Sequence, residues 1–510
     1  MSKKIGGIVA LAGLCALSLL LLNCGSSSSR PSGVLYVLTE GGTGIGNVIS
    51  SYSVDLNSGE LSLVNSNASA CPTAPTQGNP SPCGAPVNIV LDPTGSVAFV
   101  LDQGLPCVET EVKIQPDPQD PPTYAWQCIS GSNAPVLPTI YPYAVGNDGS
   151  LTGPATGVTW SCPGLTFANP CNESTVAMAR DAAGQFLFVL NHGSYPSPGQ
   201  GDPSQGFPSP YASCPHVPTD YTDVCPSISV FTMKPGSPTL TLAPGSPFYL
   251  SKLPTALSTV SFAAQGSNNS QELLFVTENQ DICTANCQTI NPNDNAVSEY
   301  LVSSTGTLSE LPNSPYAINA VDPVSVQAVN TNQVGQNATG VYVYVGNNGS
   351  TGDLNPFYVC TVQTSICTAQ DVINNGVPVY LMAPLVQACS KPPCDPVLPS
   401  AAGLNPVGMV VDPTNNFLYS ISNGSNQVFG FKINTTTGVL TAQSPANQPT
   451  GSQPVSIALH PSVNNTGQFL FVSNSNSDNI SSFTLNTTAG SMGNPSTVVA
   501  PETPSGLTVR

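Results

Sequence analysis

The sequence has few charged side chains. Asp, Glu, Lys and Arg make up only 7% of its 510 residues, against roughly 25% in an average globular protein. Ten basic residues face 28 acidic ones, which gives a net charge of −18. A nucleic-acid-binding protein needs clustered Lys and Arg to displace counterions from phosphates. The composition therefore argues against nucleic acid as a partner.

Histidine is also scarce, with three residues in the chain. We find no Gly-rich phosphate loop, no metal-ligand spacing and no Ser-His-Asp order, so no metal and no cofactor is expected. Long segments with a helical period are missing too. The chain instead contains 51 Pro and 45 Gly, which favours many short strands joined by turns.

The N-terminus has the pattern of an export signal. Lys3 and Lys4 precede an apolar run over residues 5–22, as in a secretory signal peptide. Residues 21–24, Leu-Leu-Asn-Cys, resemble a bacterial lipobox, which implies a signal over 1–23, lipidation of Cys24 and a Ser-rich tether over 24–32. Asn23 stands where lipoboxes carry a small residue, so an uncleaved membrane anchor is the alternative. Either reading places the folded part, residues 33–510, in the cell envelope.

Fourteen of the 16 cysteines remain after Cys15, in the signal, and Cys24. They form seven couples that are close in sequence, which in an oxidising compartment predicts disulfides that close local loops. Zinc binding is the alternative, but the spacings are irregular and His is scarce. The couples are Cys71 with Cys83, Cys107 with Cys128, Cys162 with Cys171, Cys214 with Cys225, Cys283 with Cys287, Cys360 with Cys367, and Cys389 with Cys394.

One short apolar strand recurs along the chain, and its β-branched and aromatic residues predict a strand buried on both faces. A second strand precedes it, often beginning Pro-Val, with a turn such as Asp92-Pro93-Thr94-Gly95 between the two. The apolar strand begins at seven places: Val34, Val97, Phe186, Leu273, Val341, Phe417 and Phe469.

A third strand and a short fourth strand follow in each unit. The third strand of the fifth unit is the least clear, and Phe357–Val362 is the best candidate, followed by a Cys-rich insertion to about Pro399. Seven units of four strands predict an all-β fold, a seven-bladed β-propeller of antiparallel blades with long disulfide-bearing loops. An open solenoid is the alternative.

The two chain ends support closure. The folded part begins with the buried second strand of a unit. It finishes, at Pro504–Arg510, with a copy of the first strand, which in other units comes just before the buried strand. Pairing Leu507–Val509 beside Val34–Leu38 would complete a blade that neither end forms alone and would remove two exposed edges. We therefore expect a closed, monomeric ring.

The repeated motifs Pro-Val-x-Ile, Asp-Pro-Thr-Gly, Phe-Leu-Tyr-Val and Thr-Gly-x-Leu resemble the lactonase-type seven-bladed propellers. Relatives in that family include 6-phosphogluconolactonase-like and surface-layer YVTN-repeat proteins. The resemblance covers residues 33–510 and implies the fold, since these motifs are strands and turns. It does not imply an activity, because one fold serves many functions.

A polar residue follows each buried strand, and these residues are expected to lie around one mouth of the channel, where Asp102, Asn191, Asn347 and Asn474 are the candidates to bind a ligand. The alternative is that they satisfy local backbone groups. The positions are Thr39, Asp102, Asn191, Glu278, Asn347, Ser422 and Asn474.

Three of the residues near the channel are candidates for catalysis. Arg180 occupies a position that is apolar in sister repeats, so it either pairs with Glu173 or Asp181 or holds a substrate carboxylate or oxyanion. His192 is a candidate general base, or an ordinary loop residue. Glu278 completes the candidate set.

Two functions follow from these features. The first is a lipid-anchored envelope propeller that binds a protein, a carbohydrate or a small molecule. The second is a hydrolase acting on a lactone or ester. Scarce cations and export argue against a phosphorylated sugar lactone as substrate.

Overall fold

The computed structural model describes residues 33–40, 47–70, 86–103, 109–114, 123–128, 138–159, 175–191, 226–250, 253–263, 270–279, 295–318, 322–331, 340–349, 352–363, 367–374, 376–385, 396–461 and 468–510. The signal and tether, with Cys24, lie outside these residues.

These residues form a seven-bladed β-propeller, as the repeats predict. Each blade is an antiparallel sheet with an inner strand at the channel, then a second, a third and an outer strand. In that order, blade 1 has Pro504–Val509, Val34–Thr39, Val48–Val54 and Leu61–Ser69, and blade 2 has Pro86–Leu91, Val97–Asp102, Thr139–Val145 and Val158–Thr159, with Leu151–Thr152 beside its third strand.

The middle blades carry one further short strand beside the third strand. Blade 3 has Thr175–Arg180, Phe186–Asn191, Ser227–Met233, Leu240–Leu242 and Phe248–Tyr249. Blade 4 has Leu253–Ala263, Ser270–Asn279, Ala296–Val302, Leu308–Glu310 and Tyr316–Ala317. Blade 5 has Pro323–Asn330, Val341–Asn347, Asp353–Val359, Met382–Pro384 and Ser400–Ala401.

The last two blades are the most regular. Blade 6 has Pro406–Val411, Phe417–Ser422, Gln427–Ile433 and Leu440–Pro449, and blade 7 has Pro454–His460, Gln468–Asn474, Asn479–Leu485 and Ser496–Val499. Outside the blades lie two hairpins, Glu109–Ile114 with Thr123–Cys128 and Ile373–Asn374 with Val377–Pro378, and the helix Ala369–Val372.

The prediction for the third strand of blade 5 was wrong in position. The strand is Asp353–Val359, because Asp353 lies opposite Asn347 and pairing continues from there. It ends before Cys360, where the sequence had placed the strand as far as Val362.

One of the seven predicted disulfides is observed, between Cys360 and Cys367. The other six pairings stay predictions. Cys128 is the last residue of the strand Thr123–Cys128. The remaining eleven cysteines lie outside the described residues: Cys71, Cys83, Cys107, Cys162, Cys171, Cys214, Cys225, Cys283, Cys287, Cys389 and Cys394.

The two chain ends pair as expected. Pro504–Val509 runs antiparallel to Val34–Thr39, with Leu507 opposite Val37. Each inner strand also contacts the inner strands of both neighbouring blades, and that of blade 1 lies between those of blades 7 and 2. The ring therefore closes through a sheet that contains both ends of the folded chain.

The second strands explain the repeated apolar run, because each contributes to two hydrophobic cores. In blade 1, Tyr36 and Leu38 pack towards blade 2, whereas Leu35 and Val37 pack towards blade 7. Residues of a strand alternate between its two faces, so both sets must be apolar when both faces are covered.

The predicted turn between the inner and second strands is closed by an aspartate. Asp92 accepts hydrogen bonds from the backbone N–H groups of Ser96 and Val97, both at 2.8 Å. Asp181 and Asp412 do the same in blades 3 and 6. Gly95 has a φ of 64°, a conformation that glycine adopts without a steric cost. We call the face that carries these turns the turn end, and the other face the opposite end.

Neighbouring inner strands lie in separate sheets, so their edges need other hydrogen-bond partners. Uncharged side chains of the adjacent blade supply several. Thr255 donates to the carbonyl of Pro323 at 2.7 Å, and Ser505 donates to that of Pro86 at 2.8 Å. Ser258 accepts from the N–H of Ala328 at 3.0 Å. Such contacts give the abundant Ser and Thr a structural role at the channel.

The closing strand provides a stability test. Leu507 is 7% exposed and packs with Leu35 and Val37, whereas Val499, on an outer strand, is 80% exposed. We expect Leu507→Ala to lower the free energy of unfolding by about 2–5 kcal/mol, as buried leucines do. Val499→Ala, the control, should change it by less than about 0.5 kcal/mol. Urea denaturation measures both, and equal effects would contradict closure by this strand.

Candidate functional site

The seven polar residues at the ends of the second strands, of which Glu278 is the last but one of its strand, occupy equivalent places at the opposite end. Asp102, Glu278 and Asn347, for example, lie opposite prolines at the start of their inner strands, Pro86, Pro254 and Pro323, of which Pro254 is the second residue of its strand. All seven side chains are buried, with at most 4% exposed. They therefore form a ring inside the blades, around the opposite end of the channel.

Several of these side chains bond to their own blade. Asn191 donates to the hydroxyls of Ser227 and Ser229, both at 3.1 Å. Asn474 donates to Oδ1 of Asn479 at 2.8 Å, and Glu278 accepts from the hydroxyl of Ser298 at 2.8 Å. These bonds tie the second strand to the third. A ligand-binding role for Asp102, Asn191, Asn347 and Asn474 stays a prediction.

Arg180 lies at the turn end, as the last residue of its inner strand. Its guanidinium Nη1 donates to the main-chain carbonyls of Asp181, at 3.0 Å, and Ala182, at 3.4 Å. Burial lowers the pKa of Arg180, and the nearby charges of Asp181 and Asp92 oppose that shift. Within the described residues these main-chain carbonyls are the hydrogen-bond acceptors of its guanidinium.

The structure does not bring the three catalytic candidates together. Arg180 lies opposite Leu187, whereas Thr175, at the other end of the same strand, lies opposite Asn191. Five residues of strand span about 16 Å, so Arg180 and the ring that contains Glu278 are at opposite ends of the blades. His192, which follows Asn191, lies outside the described residues.

A cavity of about 370 Å³ lies at the turn end, among the inner strands of blades 4, 5 and 6. This volume is in the range of small-molecule sites. Its hydrogen-bonding side chains are mostly uncharged. They include Thr259, Ser261, Gln327, Asn330, Asp412 and Asn415.

Glu272 lies directly behind the cavity wall. The hydroxyl of Ser261, which lines the cavity, donates to Oε2 of Glu272. Its other oxygen, Oε1, is buried and has no hydrogen-bond partner among the described residues. Burial, aided by the nearby negative charge of Asp181, raises the pKa of Glu272 to about 7, although hydrogen bonds from Ser261 and Thr259 act in the opposite direction. Glu272 can therefore give or take a proton near neutral pH.

Two neighbouring carboxyls at the turn end have pKa values shifted in opposite directions. Burial raises the pKa of Asp181. The pKa of Asp92 is lowered although burial opposes this, because Thr94, Val97 and Gly236 donate hydrogen bonds to it.

Sequence reasoning missed Glu272. It lies just before the apolar run of its second strand, where sister blades carry Gln185, Asn416 and Gln468. A polar residue is ordinary there, so the position gives no signal. Its burial in the tertiary structure, with the nearby charge of Asp181 and the bond from Ser261, makes it unusual.

No group of His, Cys, Asp and Glu in the described ranges is arranged to hold a metal ion. Among the same residues, no helix has the length and hydrophobicity needed to cross a bilayer.

Comparison with known proteins supports the resemblance seen in the repeats. Residues 405–509 match the family model of the lactonase seven-bladed β-propeller. With the seven blades of the whole fold, this match confirms the similarity to that family. A comparison with curated proteins gives no match.

Two solved structures are similar to this chain at low sequence identity. The periplasmic gluconolactonase of Pseudomonas aeruginosa is 14% identical, with a TM-score of 0.51, over 94% of this chain and 98% of its own. A protein from Lactobacillus plantarum is also 14% identical, with a TM-score of 0.44, over 94% of this chain and 99% of its own. At this identity the likeness to the gluconolactonase concerns the fold alone.

The raised pKa of Glu272 predicts a pH-dependent stability. The carboxyl has a higher pKa in the folded than in the unfolded protein. Its contribution to the free energy of unfolding is therefore complete below the unfolded pKa and is lost as pH rises through about 7. Because of this carboxyl, the free energy of unfolding should fall by on the order of 2 kcal/mol between about pH 5 and pH 9 in the unaltered protein. In Glu272→Gln that fall should be absent. The measurement is urea denaturation across that range. The control, Glu60→Gln, changes an exposed carboxyl, and an identical pH profile for both variants would contradict the assignment.

Proposed function

We propose that this chain is an exported propeller of the bacterial cell envelope that binds a small, uncharged polar ligand. The supporting observation is the turn-end cavity of about 370 Å³, whose wall is built mainly from amide, hydroxyl and apolar groups. A membrane anchor through the lipid at Cys24 holds the protein at its site of action.

Export is supported by cysteine chemistry. The Cys360–Cys367 disulfide closes a local loop, as the sequence spacing predicts for all seven couples. Disulfides persist mainly in oxidising compartments outside the cytoplasm.

The residues of the cavity wall indicate the ligand class. Gln327 and Asn330 each carry a donor and an acceptor, whereas the hydroxyls of Thr259 and Ser261 donate to the Arg180 carbonyl and to Glu272 and can accept from a ligand. This set matches the hydroxyl groups of a carbohydrate or the ring oxygens of a lactone. A phosphorylated ligand would need several convergent cations. Among the described residues, Arg180 is the one cationic side chain beside the wall, through its bond to the carbonyl of Ala182.

Lactone or ester hydrolysis is the second candidate. Glu272, connected to the cavity through the hydroxyl of Ser261, has a pKa suited to taking a proton from an attacking water. The guanidinium of Arg180 is available for a developing oxyanion, and His192 stays a candidate base. The fold shared with a periplasmic gluconolactonase makes lactones the first substrates to test.

Ligand binding is tested by calorimetric titration with neutral monosaccharides, their aldonate forms and their lactones. We expect neutral sugars or lactones to bind, and Gln327→Ala to weaken binding by about tenfold, since a lost hydrogen bond leaves a ligand group unpaired. Gln370→Ala is the control, because Gln370 is exposed on the helix away from the cavity. A selective response to aldonates, or an equal loss in both variants, would contradict the neutral-ligand site.

Hydrolysis is tested with the same lactones by following acid release at constant pH. If the chain is a hydrolase, Glu272→Gln should lower kcat by about 100-fold or more, and Arg180→Ala should also lower it. His192→Ala tests the remaining candidate. Turnover that is unaffected by all three changes would eliminate these residues, and no turnover in the unaltered protein would leave the binding function.

A further inference from the structure

The chain enters the propeller at the turn end. Gly33 precedes Val34, the first residue of a second strand, and second strands begin at the turns that define this face. The carbonyl of Gly33 accepts from the N–H of Val54 at 3.0 Å, and that of Val34 accepts from Arg510 at 2.9 Å. The start of the fold is therefore held in place on this face.

The tether that precedes Gly33 is short. Residues 25–32, eight in all, separate it from Cys24. A flexible chain of that length spans about 15–18 Å on average, and about 30 Å when fully extended. A lipid on Cys24 would hold Gly33 within that distance of the bilayer.

The same tether would have to be fully extended to place the opposite end against the membrane. Its path would cross two strands to the rim, about 10 Å, and then the height of a blade, about 20 Å. The sum equals the fully extended length, which has the highest entropic cost. The tether therefore favours an orientation with the turn end towards the lipid.

A hairpin with two exposed apolar side chains lies in a connection at this face. Ile373 is 43% exposed and Val377 is 54% exposed, within the connection that leaves the third strand of blade 5 at the turn end. The connection is fixed by the Cys360–Cys367 disulfide and by Tyr380, which is buried and packs edge-on against Phe262 with ring centroids 5.1 Å apart. These contacts fix the segments on both sides of the hairpin to the blades.

We propose that the turn end faces the phospholipid bilayer and that the hairpin of Ile373 and Val377 contacts its headgroup region. This inference rests on the lipid anchor of the proposed function. A protein anchored through one lipid-modified residue is oriented on the bilayer by a second, weak membrane contact. The exposed charged residues of this face include Asp55, Glu60, Asp148 and Lys234, with no cationic cluster among the described ones, so the contact should not require anionic lipid.

The test uses the lipidated full chain on phosphatidylcholine vesicles that contain bromine-labelled lipid, which quenches nearby tryptophan. Val377→Trp places a probe on the hairpin, and Val499→Trp places a matched probe on an outer strand at the opposite end, where Val499 pairs with Asn479. Unaltered protein supplies the baseline of its two native tryptophans. We expect at least threefold more quenching at position 377 than at position 499.

The possible outcomes separate the two proposals. Protein that sediments with vesicles but shows equal quenching at both positions, or more at 499, overturns the orientation and leaves the anchor intact. Unaltered protein that stays in the supernatant, like Cys24→Ser, refutes the anchor itself and this inference with it. Both probe sites are exposed in the native fold, and matching thermal denaturation of the variants verifies that they fold.

Discussion

The pairing of Pro504–Val509 with Val34–Thr39 is the contact on which the architecture depends. Each blade covers the hydrophobic face of its neighbour, so a gap in the ring would expose two faces and two strand edges at once. Leu507 contributes to the same core as Phe469 and Phe471 of blade 7. Residues far apart in the chain thereby complete a blade that neither end can form alone.

The scarcity of charge has a structural explanation. The inner strands need hydrogen-bond partners along the channel, and Thr255, Ser258 and Ser505 supply them across blade boundaries. A short hydroxyl can satisfy a carbonyl in a half-buried place, whereas an unpaired charge there is costly to desolvate. Arg180 is the exception, since two main-chain carbonyls hold its guanidinium at the end of an inner strand.

The two ends of the channel differ in character. The opposite end carries a ring of buried polar side chains, such as Asn191 and Asn474, which bond within their own blades. The turn end has the cavity, and Glu272 lies one hydrogen bond behind its wall. Chemistry and ligand recognition are therefore best sought at the turn end, although the repeated motif drew attention to the other.

Sequence alone determined the number of blades, the turns closed by Asp92 and Asp412, and the pairing of the two ends, because strand and turn preferences are local and repeat seven times. It misplaced the third strand of blade 5, where Asp353 begins pairing before the apolar run. The candidate site depended on tertiary structure. The strands that separate Arg180 from Glu278 decide their distance, and the pKa of Glu272 arises from desolvation and from Asp181, neither of which leaves a pattern in the order of residues.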